Sequence, residues 1–148
     1  VNKALLTALM QMPFIKAPLP KSTGPELFNL ESLNQLVSKH AIHIPAIDLL
    51  ATLTHFTASA IAQQLQPFIN ENTSIYCSGG GVRNAYLMNL LQQAIPGTPI
   101  RTVESLGIKS EAKEAVLFAL LANETLADSP GAARLGDSPW ENFGKISL

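Results

Sequence analysis

A short apolar stretch, Ile75-Tyr76-Cys77, runs through Ser78 into three consecutive glycines, Gly79-Gly80-Gly81, and on to Arg83-Asn84 at the head of a helical pattern. Three glycines in a row remove every Cβ from the turn, so its backbone can take positive φ and lie directly against a ligand. A helix starting near Arg83 would aim its unpaired N–H groups and positive dipole end at the same place. A strand, a bare turn and a helix N-terminus in that order suit a phosphate or the face of a nucleotide. Open α/β sheets collect ligands at such strand-to-helix turns. The competing reading is a tight turn whose residues are small only to let strand and helix pack. The run is not the dinucleotide fingerprint, because Asn84 stands where its third glycine would be. Lys21-Ser22-Thr23 carries the residue types of a Walker A loop, but Pro20 precedes it and no strand leads in, so it reads as a surface loop bracketed by prolines.

The pattern around this run is mostly helical. Asn2 caps a first helix reaching about Gln11. Four prolines between residues 12 and 25 predict a loop. Asn29 caps a second helix with Leu30, Leu33, Leu36 and Val37 on one face. Pro45 suits the first position of a third helix that ends near Pro67. That helix lacks a clean polar face, which predicts burial on several sides between a sheet and another layer. A strand over 73–77 follows, then a helix from Arg83 to Ile95 closed by Pro96-Gly97. A second strand spans 100–103 and a last helix runs from Lys109 to about Ala127. Residues 128–143 read as loop, and 144–148 as a candidate edge strand. Strand–helix–strand of this length predicts a right-handed parallel crossover. Two or three short strands make a poor sheet on their own, so more strands are expected from elsewhere. The chain opens on Val1 and enters a helical pattern at once, which agrees with a piece of a longer protein.

Hydrophobic residues make up 47% of the 148, which excludes a disordered or fibrous class. The net charge of −1, with no basic stripe, argues against nucleic-acid or anionic-membrane partners. No apolar run approaches about 18 residues, so no membrane span is expected. The single Cys77 rules out an internal disulfide and fits a reducing cytoplasm. At a strand end it reads as a buried cysteine, since no motif pairs it with a base. His40, His43 and His55 form no metal pattern, and His55 reads as a hydrogen-bonded core histidine. Asn84 offers two donors and an acceptor to a ligand, or else caps the helix. Glu111 and Glu114 open the last helix, where acids complement the dipole. Glu114 can equally face a ligand edge and accept hydrogen bonds from a sugar.

Taken in order, several segments resemble the anhydro-N-acetylmuramic acid kinase family of the sugar-kinase, actin and heat-shock chaperone superfamily. They are Pro20-Lys21-Ser22-Thr23-Gly24 with Phe28-Asn29-Leu30; Ala51-Thr52-Leu53-Thr54 through Phe56-Thr57-Ala58; Gly79-Gly80-Gly81-x-x-Asn84; Gly107 through Glu114-Ala115 to Phe118-Ala119; and Gly144-Lys145-Ile146. Ala132 to Asn142 departs from the family pattern. The resemblance implies an α/β fold: the C-terminal portion of an actin-like (ribonuclease H-like) ATPase lobe, helix-rich, with a short, incomplete parallel sheet. The whole of 1–148 is then one C-terminal-lobe fragment. It has a helical part over 1–68, a strand-helix-strand-helix nucleotide side over 69–127, and a tail over 128–148.

The same resemblance implies a cytoplasmic enzyme of cell-wall recycling that uses ATP, Mg2+ and water. It opens the anhydro bridge of 1,6-anhydro-N-acetylmuramic acid while phosphorylating the 6-oxygen, and so yields N-acetylmuramic acid 6-phosphate. Gly79, Gly80, Gly81 and Asn84 match the adenosine-side turn, and Glu114 an acidic position beside the sugar. The family's phosphate-binding turn and its Asp-Thr-Gly-type strand with the catalytic aspartate have no match here. Asp48, Asp128 and Asp137 lie outside any strand-turn context, so no residue of this chain is expected to act as general base. The chain alone is therefore expected to be inactive and to need the N-terminal lobe. Its first three helices offer a face for a homodimer. Two alternatives stay open: a non-enzymatic nucleotide-binding module on an actin-like half-fold, and a Rossmann-like cofactor domain with Glu104 on the ribose.

Overall fold

The computed structural model describes residues 1–40, 43–109 and 112–127. The chain divides into two units, Val1–Arg101 and Thr102–Leu148. Helices dominate the first: α1 (Lys3–Met10), α2 (Pro13–Lys16), α3 (Leu30–Lys39), α4 (Ala46–Leu65) and α5 (Ala85–Ala94). A two-stranded parallel sheet pairs β1 (Ile75–Cys77) with β2 (Ile100–Thr102). The second unit holds a 3-10 turn over Val103–Leu106 and helix α6 (Lys113–Ala127).

Local chemistry sets the element boundaries. Asn2 and Asn29 cap α1 and α3, their side-chain oxygens accepting from the N–H of Leu5 and Ser32. The segment expected to be loop throughout 12–25 contains the short helix α2. Pro13 sits at its first position, where a missing N–H costs nothing, so the proline starts a helix rather than preventing one. Lys21 closes α2. Its ammonium donates to the carbonyls of Phe14 (2.8 Å), Ile15 (2.9 Å) and Ala17 (3.0 Å) and lies over the Phe14 ring. All three of its donors are thus taken up by backbone, which agrees with the surface-loop reading of Lys21-Ser22-Thr23. Pro45 is the cap of α4 rather than its first residue, and Pro67 lies in a 3-10 turn, Gln66–Phe68, that continues the helix end.

Two apolar clusters hold the first unit together. Leu5, Leu9, Ile15 and Phe56 form one, with Leu33, Leu36 and Val37 of α3 packed against it. Ala62, Leu91 and Ile95 form the other, with Ile75, Cys77 and Ile100 of the sheet. Helix α4 contributes to both and so lies between the helical layer and the sheet side. Burial of α4 is less complete than its sequence suggests: Ile47 and Leu50 are largely exposed. The expected edge strand over 144–148 and the loop over 128–143 lie outside the described residues.

Candidate functional site

The glycine turn differs from the sequence expectation in a specific way. Only Gly79 takes positive φ, at 89° with ψ −178°. That is a conformation essentially confined to glycine. Gly80 and Gly81 belong to a 3-10 turn, Gly80–Arg83, and α5 begins at Ala85 rather than at Arg83. The turn is tied down by two bonds, Val82 N–H to Gly79 O (3.3 Å) and Asn84 N–H to Gly81 O (3.1 Å). Among the described residues no acceptor meets the N–H of Gly80 or Gly81. A Cβ placed on Gly79 or Gly80 would find no atom within 4 Å, and one on Gly81 only Leu87 Cδ2 at 3.8 Å. All three glycines are exposed. The missing side chains are therefore not required for strand–helix packing. They leave open space beside two backbone donors.

Asn84 is the N-cap of α5. Its Oδ1 accepts from Leu87 N–H at 3.1 Å, leaving the amide nitrogen outside the cap. Of the two roles weighed for it, the structure shows the cap: the oxygen closes the helix end, and the residue is exposed. Tyr86, in the first turn of α5, is a residue the sequence reading passed over. Its hydroxyl and His55 Nε2 share a hydrogen bond of 2.9 Å, and the two rings meet edge-on at 5.8 Å. His55 is hydrogen-bonded as expected, although half-buried rather than in the core. The signal in sequence was only an aromatic two residues past Asn84.

Cys77 packs into the sheet-side cluster, and burial pushes its thiol above the ordinary range. A thiol held protonated is a poor nucleophile. Glu114 stands in the first turn of α6 and is exposed; it belongs to the second unit and is described there by itself. α6 starts at Lys113 instead of Lys109, and Glu111 lies outside the described residues. Glu104 falls in the 3-10 turn after β2, where its carbonyl accepts from Gly107 N–H at 3.0 Å. Among the described residues no three His, Cys, Asp or Glu side chains gather to hold a metal ion, and no helix is long and apolar enough to cross a membrane.

A model of the anhydro-N-acetylmuramic acid kinase family matches residues 1–138. The chain is 42% identical over 131 residues to the anhydro-N-acetylmuramic acid kinase of Pseudoalteromonas translucida, covering 86% of this chain and 33% of that protein. It is 41% identical over 132 residues to the one from Pasteurella multocida, covering 88% and 35%. The kinase of Pseudoalteromonas atlantica is 41% identical over 161 residues, covering 100% and 38%. The chain thus spans about a third of the length of the curated relatives it matches.

Proposed function

Because the chain belongs to the anhydro-N-acetylmuramic acid kinase family, we propose that it forms the nucleotide side, and one wall of the sugar site, of an ATP-dependent kinase acting on 1,6-anhydro-N-acetylmuramic acid. The product is N-acetylmuramic acid 6-phosphate, in cytoplasmic cell-wall recycling. The fold is read as the C-terminal portion of an actin-like ATPase lobe, with the helical part over 1–68 and the nucleotide side over 69–127. The observation that carries this reading is the exposed glycine turn: two N–H groups without acceptors among the described residues, beside a space that any Cβ would enter. Backbone donors at such a turn hold an anionic group without a side chain in the way.

Gly79 shapes the turn, Gly80 and Gly81 donate to the nucleotide, and Asn84 adds its amide. Glu114 is assigned to the sugar as a hydrogen-bond acceptor. Phosphoryl transfer depends mostly on positioning and charge neutralisation, and Mg2+ supplies the latter at the phosphates. Among the described residues no His, Cys, Asp or Glu cluster gathers to hold that ion. The exposed Ile47 and Leu50, and an apolar groove of about 800 Å3 lined by Phe14, Phe28, Leu33, Leu53 and Phe56 among others, agree with a portion covered by the rest of a longer polypeptide.

Titration of the 148-residue chain with ATP, followed by amide chemical shifts, tests the reading. Shifts centred on Gly79–Asn84 and the first turn of α5, and their loss in Gly80→Leu, are expected. No shift in the wild-type chain overturns it. A coupled ADP assay with the anhydro-sugar should show no turnover by this chain alone; turnover at ordinary enzyme rates would place the general base within it.

A further inference from the structure

We propose that Tyr86, held in place by His55, is the platform on which the purine base of the bound nucleotide stacks. The inference rests on the nucleotide reading of the glycine turn and adds to it a base-recognition residue. Tyr86 occupies the first turn of α5, two residues beyond the cap Asn84. Helical side chains lean toward the N-terminus and cover the surface over the preceding turn. In α5 the preceding turn is Gly80–Arg83. Leu87, the next residue, already comes within 3.8 Å of a Cβ built on Gly81.

The ring is presented, not buried. Tyr86 is 46% exposed although its hydroxyl is anchored to His55 Nε2 at 2.9 Å. The same pairing sets the two rings edge-on, 5.8 Å between centroids. His55 belongs to α4, so the tether fixes the ring against a different helix from its own. Here the polar end is fixed and the ring is left partly open, in the first turn of the helix that the glycine turn leads into. An aromatic ring immobilised before the ligand arrives loses little entropy on binding. Every base has a face to offer such a ring. The glycine N–H groups would hold phosphate and the ring would hold base, so the two ends of one nucleotide are read by separate groups. His55 is a positioning residue for Tyr86 and touches no ligand.

The test compares ATP with inorganic tripolyphosphate, which has the phosphates and no base, on the full chain. Tyr86→Ala should weaken ATP binding about tenfold or more, the loss found when stacking rings are truncated. Its affinity for tripolyphosphate should be unchanged. Tyr86→Trp, which keeps a stacking face, should retain most of the ATP affinity. His55→Ala should give a smaller loss, again for ATP alone. A merely structural role would weaken both ligands together, and melting curves of each variant show whether the fold is intact. Equal losses for both ligands, or wild-type ATP affinity in Tyr86→Ala, overturn the proposal. If Gly80→Leu abolishes ATP binding while Tyr86→Ala does not, the base platform fails and the nucleotide site stands. If the wild-type chain binds neither ligand, both fail.

Discussion

Alanine at Gly79 and alanine at Gly80 should move stability in opposite directions, although the two positions are adjacent and equally open. Neither new Cβ would meet an atom within 4 Å, so packing clashes contribute nothing at either site. The difference lies in the backbone. Gly79 has φ 89° and ψ −178°, and a residue with a Cβ held there costs about 1–3 kcal/mol. Gly80 lies in a 3-10 turn without positive φ. There alanine fits, and by restricting the unfolded chain it stabilises by about 0.4–1 kcal/mol. The gap between the variants is then roughly 1.5–4 kcal/mol. For a chain of this size each kcal/mol moves the melting temperature by about 2–4 °C. Far-UV circular dichroism melts of the two variants beside the wild type measure it. Gly80→Ala should also weaken ATP, since its methyl enters the ligand space, while melting no lower than the wild type. Equal shifts for the two variants, in either direction, would refute the assignment of backbone strain to Gly79 alone.

Other expectations follow from single contacts. Asn84→Ala should cost about 0.5–2 kcal/mol by uncapping α5. Asn84→Ser should restore melting but not ATP affinity, because serine replaces the oxygen that accepts from Leu87 N–H and not the amide nitrogen. Thr52→Val should cost about 1–3 kcal/mol in a denaturant titration. The buried hydroxyl accepts from Asn2 N–H at 2.8 Å and donates to Asp48 O at 2.6 Å, and valine strands the first of these. Cys77 should react more slowly with iodoacetamide in the folded chain than in denaturant at the same mildly alkaline pH, since burial raises its pKa. The folded state retains the thiol proton longer, so the contribution is fully present below the unfolded thiol pKa and is lost as pH rises through the raised folded one. Cys77→Ala should show a shallower alkaline loss of melting temperature than the wild type.

Features of short range were legible in the residues themselves. The caps Asn2, Asn29 and Asn84 and the strand–glycine–helix order are consequences of local backbone chemistry and are present in the structure, while Pro45 stands one place earlier than expected, as the cap of α4, and Pro67 falls within a 3-10 turn that continues its end. Pattern alone misplaced the starts of α5 and α6, because a 3-10 turn or an irregular stretch satisfies the same residues as a first helical turn at nearly the same energy. It left positive φ open to all three glycines, whereas the structure uses it in this turn only at Gly79, with Gly80 and Gly81 wound into a 3-10 turn. Tertiary structure alone decided which groups meet across long separations. Thr52 takes the N–H of Asn2, 50 residues away. His55 reaches Tyr86 across 31 residues because α4 packs on α5. No spacing rule encodes that pairing: it exists only once two apolar stripes have found each other and brought a polar atom from each helix within hydrogen-bonding distance.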